Sequence, residues 1–102
     1  MAVAGPRTWS KVGNAAAGTV ALTCPFYPSV LIVENGDTTN AFNLNWVDAA
    51  ATVTDNSTNM RCSAGKSYGV NFDNPNVVGP FTINIIAIAG TPAYVINAFG
   101  AR

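Results

Sequence analysis

The clearest structural signal in the chain is SVLIVENGDTTNAFNLNWV, residues 29–47. It begins with the continuous apolar run Ser29–Glu34, which is typical of a β-strand covered on both faces. The residues Asn35–Asp37 then tolerate the positive φ angles that a turn requires. The segment Phe42–Val47 alternates between apolar residues and asparagine, so its apolar side chains point to one face. This stretch therefore predicts two strands separated by a turn.

Strand-forming residues also dominate the chain outside this stretch. It contains eleven Val, six Ile, ten Thr and ten aromatic residues, but only one Glu, two Lys and three Leu, and this composition favours sheet over helix. Further strand candidates bounded by turn residues are Thr19–Cys24, Lys66–Phe72, Phe81–Ile88 and Ala93–Phe99, and Thr52–Thr54 is a short seventh candidate. We therefore predict an all-β fold, a small antiparallel β-sandwich or barrel of six to seven strands.

The beginning of the chain has a different composition. Residues 1–18 are rich in Ala and Gly, include Pro6 and Asn14, and contain a single large aromatic residue, Trp9. We expect residues 1–18 to form an extended N-terminal arm and residues 19–102 to form a single β-sandwich domain. An exposed tryptophan is costly, so Trp9 either folds back on the core or anchors the arm to a neighbouring protein.

Two further aromatic residues are candidates for contact with another protein. Phe26 and Tyr27 lie between two prolines, where no alternating pattern assigns them to a core. Together with Trp9 they form our set of predicted interface residues.

Charge and residue usage exclude several functional classes. Charged residues make up 10% of the chain and the net charge is zero, whereas an ordinary soluble domain is about a quarter charged. A nucleic-acid partner requires a basic face, which five cations balanced by five acids do not supply. The chain has no His, so the usual general base and metal ligand are missing. We predict no enzyme, no catalytic residues, no cofactor, no metal and no nucleic-acid partner.

The carboxylates and thiols give no chemical motif either. Acid–base pairs and calcium sites need several acids in one cleft or loop, but these acids lie mostly beside turn residues, where Asp is locally favoured. They are Glu34, Asp37, Asp48, Asp55 and Asp73. Cys24 and Cys62 could close a loop worth about 4 kcal/mol as a disulfide, but we interpret them as two reduced, buried thiols and leave their pairing open.

Export and membrane signals are also missing from the pattern of residues. Pro6, Arg7 and Lys11 interrupt the early segment where a signal peptide needs an apolar run, and no run reaches the roughly 18–20 apolar residues that span a bilayer. We expect no membrane partner. A surface with so few charges promotes association, which favours a role inside an assembly.

Three segments resemble one family of small β-domains. They are Ser29-Val-Leu-Ile-Val-Glu-Asn-Gly36, Ala64-Gly-Lys-Ser67 and Ile86-Ala-Ile-Ala-Gly-Thr-Pro-Ala-Tyr-Val95. In order and type they resemble the apolar strand with a polar turn, the second turn and the closing hairpin of small virion proteins of tailed phages. The resemblance covers about four-fifths of the chain, and no catalytic motif comes with it.

This resemblance implies a structural function. We expect a capsid decoration or cement protein that binds a shell, with the major capsid protein or other virion subunits as partners and with a homo-oligomeric state. Its location would be the virion, assembled in the host cytoplasm. The alternative from another class is a carbohydrate-binding module or adhesin-like β-sandwich, which would present exposed, coplanar aromatic rings to a sugar.

Overall fold

Two four-stranded antiparallel sheets form the fold. The computed structural model of the protein describes residues 7–46, 59–72 and 80–100. Sheet A has the strand order β1-β8-β3-β6 and sheet B the order β2-β7-β4-β5. The eight strands are β1 (Arg7–Asn14), β2 (Val20–Cys24), β3 (Val30–Asn35), β4 (Phe42–Asn45), β5 (Met60–Cys62), β6 (Ser67–Asn71), β7 (Phe81–Ala87) and β8 (Ala93–Gly100).

The chain crosses between the two sheets at every connection except the one from β4 to β5. Eight strands in this order are the topology of a jelly roll, in which two Greek keys close into two packed sheets. The all-β prediction is thus confirmed. The predicted strand count of six to seven was wrong, because the described residues contain eight strands.

Two of the eight strands are absent from our predictions: β5, and β1, which lies in the segment predicted to be an extended arm. The short strand predicted at Thr52–Thr54 lies outside the described residues. Arg7–Asn14 pairs antiparallel with β8 along its whole length, from Arg7 opposite Gly100 to Asn14 opposite Ala93. The physical reason is that β8 would otherwise leave a long row of unpaired N–H and C=O groups at the edge of sheet A. This part of the predicted arm is therefore an edge strand of the sandwich.

The core lies between the two sheets and follows the predicted alternation. Phe42 and Leu44 are fully buried, and Trp46 packs against the core from beyond the end of β4. In β3, Leu31 and Val33 are fully buried. The other large buried side chains of the core include Leu22, Phe81, Ile83, Ile85, Tyr94 and Ile96.

The turns are partly as predicted. Positive φ angles occur at Gly65 (71°) and Gly90 (63°), both in segments that we predicted to be turns, and at no other described residue. Asn35 and Gly36 were expected to supply positive φ angles, but they do not. β3 and β4 lie in different sheets, so no tight hairpin is needed there. The closing hairpin that the resemblance implied is also not formed, because β7 and β8 belong to different sheets.

Asn35 links the two sheets instead of shaping a turn. It is 3% exposed, and its Nδ2 donates to the carbonyl oxygens of Asn40 at 2.9 Å and of Cys62, in sheet B, at 3.0 Å. Its Oδ1 accepts the N–H of Asp37 at 2.8 Å. One buried amide at the end of a sheet A strand thus satisfies two backbone groups of the following loop and one of sheet B.

Candidate functional site

The three predicted interface residues all contact the interior of the sandwich. Trp9 is half-buried and packs against the core, opposite Ala98 in β8. Phe26 is 5% exposed, and a Cβ on Gly100 would lie only 2.9 Å from its ring. Tyr27 is half-buried and also packs against the core. Phe26 therefore offers almost no surface in the isolated chain, and a partner contact at Trp9 and Tyr27 stays a prediction.

Tyr27 belongs to an aromatic cluster at one end of the sandwich, where β4 and β6 end and β7 begins. Its ring meets Phe81 at 5.0 Å and Phe72 at 5.9 Å, edge to face. Trp46 meets Phe72 at 5.4 Å with an interplanar angle of 76°. Edge-to-face rings are typical of packing. They do not form the flat stacking platform that we expected of a sugar-binding module.

The outer surface of sheet A is a weakly charged surface to which all four strands of that sheet contribute. We call it the A-face, and it comprises Thr8, Ser10, Val12 and Asn14 of β1, Ala93, Val95, Asn97 and Phe99 of β8, Val30, Ile32 and Glu34 of β3, and Ser67, Gly69 and Asn71 of β6. Glu34 is its only charged side chain.

Apolar side chains meet across the strands of the A-face. Phe99 is 38% exposed and lies opposite Val30, while Val12 is 68% exposed and lies opposite Val95. Ile32 lies half-buried between these two pairs. The continuous apolar run of β3 had predicted a strand covered on both faces, but the described residues cover only its inner face. The A-face is therefore open apolar surface surrounded by hydroxyl and amide groups.

The outer surface of sheet B is built differently. The predicted alternation correctly turns Asn43 and Asn45 away from the core, yet both are buried. The Nε of Arg61 donates to Oδ1 of Asn43 at 3.0 Å, and Nδ2 of Asn45 donates to Oδ1 of Asn59 at 3.0 Å. These amide and guanidinium groups hydrogen-bond to one another where β4 pairs with β5, so this part of the surface is a polar network rather than an open apolar face.

The acids and thiols form no chemical cluster in the described residues. Asp48, Asp55 and Asp73 lie outside the described ranges. Glu34 is exposed, and a carboxylate oxygen of Asp37 accepts the N–H groups of Thr39 at 3.0 Å and Asn40 at 2.6 Å, which shapes a loop. Within residues 7–46, 59–72 and 80–100, no group of three or more metal-ligating side chains is found.

Cys24 and Cys62 are free and fully buried, as expected. They lie on β2 and β5, the two edge strands of sheet B, which are three strand spacings apart. Cys24 pairs with Phe81 of β7, whereas Cys62 pairs with Phe42, which in turn pairs with Ala87 of β7. These offsets amount to about 14 Å across the sheet and about 20 Å along it. A disulfide needs Cα atoms within about 7 Å, so the fold keeps the two thiols unpaired.

We expect the stability of the fold to decline at alkaline pH through Cys62. Burial raises the pKa of this thiol from 9.0 to about 11, so the native state holds its proton more tightly than the unfolded state. The stabilising contribution is complete below about pH 9 and is lost as pH rises through 11, by about 2 kcal/mol. Urea unfolding at pH 7, 9, 10 and 11 measures this loss.

The matched control is Cys62→Ala, whose stability should fall less steeply between pH 9 and 11. Some decline should persist in this variant, because burial also raises the pKa of Cys24 and of Tyr94. Equal slopes for the two proteins would contradict the assignment to Cys62.

Comparison with known proteins gives one structural similarity. No family model matches the chain, and no curated protein matches it. The chain is similar to a solved structure described as "Solution NMR structure of a de novo designed double-stranded beta-helix", with 17% identity, a TM-score of 0.43, and coverage of 91% of this chain and 97% of that chain. In the described ranges we find no helix with the length and hydropathy that a membrane crossing needs.

Proposed function

We propose that the protein is a non-enzymatic structural virion protein that binds and stabilises a capsid shell, as a decoration or cement protein. The observation that carries this proposal is the A-face, an open sheet surface with exposed Phe99 and Val12 and a single charge at Glu34. Exposed apolar surface with a polar surround is typical of a protein–protein contact. The resemblance of three sequence segments to tailed-phage virion proteins supports the shell as the partner.

Binding would come from burial of the A-face against the major capsid protein or another virion subunit. Apolar burial contributes about 25 cal/mol per Å² before the costs of association. A stable interface buries roughly 800 Å² on each partner, which is within reach of a four-stranded sheet. Repetition of the contact around a shell would add avidity to each weak site.

The first test is whether the chain travels with shells. A lysate of the native source is separated on a density gradient, and the chain is followed through the fractions. Co-migration with shell-sized particles at many copies per particle supports the proposal. A small species that stays at the top of the gradient contradicts it.

A matched pair of variants tests the A-face itself. Phe99 and Thr82 are both exposed on interior strands, Phe99 on the A-face and Thr82 on the outer side of sheet B. We expect Phe99→Lys to lose shell binding by at least tenfold, because it places a charge in the apolar contact. Thr82→Lys should bind shells like the unmodified protein. Equal binding by the two variants would remove the A-face from the proposal.

The alternative function also has one supporting observation on the A-face. Phe99 lies beside Thr8 across the strands and two residues from Asn97 on the same strand, so an exposed ring is flanked by hydrogen-bonding groups, as in a sugar-binding site. A carbohydrate-binding module predicts saturable changes in tryptophan fluorescence with common glycans and their loss in Phe99→Ala. The capsid proposal predicts no such saturation.

A further inference from the structure

β1 is an edge strand that is open to pairing. It is hydrogen-bonded to β8 on one side, and the described residues place no strand on its other side. It has eight residues, or about 26 Å of extended backbone. The long free edge of a sheet is a template for another strand.

The direction of each backbone group along β1 follows from the register. The N–H of Ala15 donates to the carbonyl oxygen of Pro92 at 2.9 Å, and the pairing with β8 then runs without a bulge to Arg7. Hydrogen-bonded positions alternate in an antiparallel pair. The odd-numbered residues therefore bond to β8, while the N–H and C=O groups of Thr8, Ser10, Val12 and Asn14 point to the free edge.

We propose that a second copy of this chain pairs with β1 in antiparallel orientation, with Ser10 on the two-fold axis. Sheet A and its copy would then form one continuous sheet of eight strands. Three facing pairs, Thr8 with Val12, Ser10 with Ser10 and Val12 with Thr8, would contribute about six main-chain hydrogen bonds. As part of an assembly this inference rests on the proposed function, but the pairing itself is a property of the purified chain.

Side chains select the Ser10-centred register among the neighbouring ones. On the inner side of the sheet this register places Trp9 opposite the second copy's Lys11, twice in the dimer, where an ammonium group can lie over an indole ring. On the outer side it pairs Thr8 with Val12, two β-branched residues that suit a cross-strand pair.

Two of the neighbouring registers bring like charges together. A two-fold axis at Lys11 places Lys11 directly opposite the second copy's Lys11. An axis at Trp9 places Arg7 opposite the second copy's Lys11 and shortens the overlap. Like charges directly opposite each other in a sheet are destabilising. An axis at Val12 brings no like charges together, but it places Lys11 opposite Gly13 and loses both ammonium–indole contacts. Charge thus disfavours two neighbouring registers, and the contacts of Trp9 with Lys11 favour the Ser10-centred register over the third.

A cysteine scan of the edge tests the register. In the proposed dimer the two Ser10 Cα atoms lie about 5.5 Å apart, within the range of a disulfide. Under mild oxidation, Ser10→Cys should form a covalent dimer, whereas Lys11→Cys should stay largely monomeric. The native thiols are fully buried and do not compete. No dimer with Ser10→Cys, or faster crosslinking with Lys11→Cys, would overturn the proposal.

Sedimentation equilibrium of the uncrosslinked full chain tests the association itself. Ser10→Pro removes an N–H that points away from β8, so the strand's own ladder stays intact, and the dimer should dissociate at least tenfold more readily. Ser10→Ala is the matched control and should dimerise normally. A monomeric unmodified chain at all accessible concentrations would overturn the proposal.

Lys11→Ala tests whether Lys11 promotes pairing at the edge of β1 or prevents it. Charged residues often protect sheet edges from pairing, and in that role their removal would strengthen association. Loss of two ammonium–indole contacts should instead weaken the dimer by about five- to thirtyfold. Stronger association of Lys11→Ala overturns the proposal.

The results also distinguish this inference from the proposed function. A monomeric chain that binds shells through the A-face overturns only the edge pairing. A dimer in the Ser10-centred register that binds no shell overturns only the capsid role.

Discussion

Replacing Asn35 by Asp is expected to destabilise the fold by about 3–5 kcal/mol at pH 7, a large part of the stability of a small domain. The change is nearly isosteric, but it replaces the donor group that holds the carbonyls of Asn40 and Cys62 with an acceptor. Two carbonyls lose their partner, and a carboxylate is buried among acceptors. Urea unfolding monitored by tryptophan fluorescence gives the difference in unfolding free energy.

The pH dependence of this variant identifies the cause. Burial among acceptors would raise the pKa of the new carboxyl group in the folded state, so the native form keeps its proton more tightly than the unfolded chain. The variant should thus be closest to the unmodified protein at pH 4 and fall behind it as pH rises. Asn71→Asp, at an exposed position of β6, should change stability by less than about 0.5 kcal/mol. A small, pH-independent effect at Asn35 would show that its amide does not hold the two sheets together.

Replacing Phe42 by Ala is expected to cost about 3–5 kcal/mol, because it opens a cavity between the sheets. Phe42 is fully buried in β4, opposite Cys62 and Ala87. Its ring also reaches sheet A, where it meets Tyr94 edge to face at 6.3 Å. The loss of burial and of the ring contact add to each other, and the midpoint of urea unfolding should fall accordingly.

Phe99→Ala is the natural comparison for this change, since it removes the same side chain from the A-face. Its cost should stay below about 1 kcal/mol, because Phe99 is more than a third exposed. Similar costs at the two positions would mean that the space around Phe42 closes when the ring is removed.

Strand positions were predictable where one face of a strand is consistently apolar. Phe42 and Leu44 in β4 have this pattern, and both are buried as predicted. β1 lacks it, because Trp9 is its only large apolar residue facing the core. Its place in the sheet is determined by backbone pairing with β8. The pattern of apolar and polar side chains carries no information about such pairing. The division of neighbouring strands between two sheets was not predictable either, since it depends on packing between distant segments.

The low charge of the candidate surface was predictable from composition, but its place in the fold was not. The low charge of the chain indicated an associating surface. Its location requires the topology, which brings Val12 and Phe99 onto one face although they lie at opposite ends of the sequence. Phe26 was assigned to an interface because no alternating apolar pattern surrounds it in the sequence. Its burial follows from the space that Gly100 leaves for its ring, a contact across the whole chain.

The hydrogen bonds of Asn35 also govern how the protein ages chemically. In an Asn-Gly sequence the backbone nitrogen of the glycine can attack the asparagine side chain, release ammonia and leave a cyclic imide, which water opens to an aspartyl or isoaspartyl residue. Here the Gly36 N–H is bound to the carbonyl of Ala93 at 3.0 Å, and the Asn35 amide is held at both ends. The folded chain therefore resists deamidation, while each unfolding event exposes the pair. Since the product carries a carboxylate that should destabilise the fold by about 3–5 kcal/mol, a chain that deamidates while unfolded refolds less completely. The lifetime of this Asn-Gly pair is therefore set by how rarely the chain unfolds.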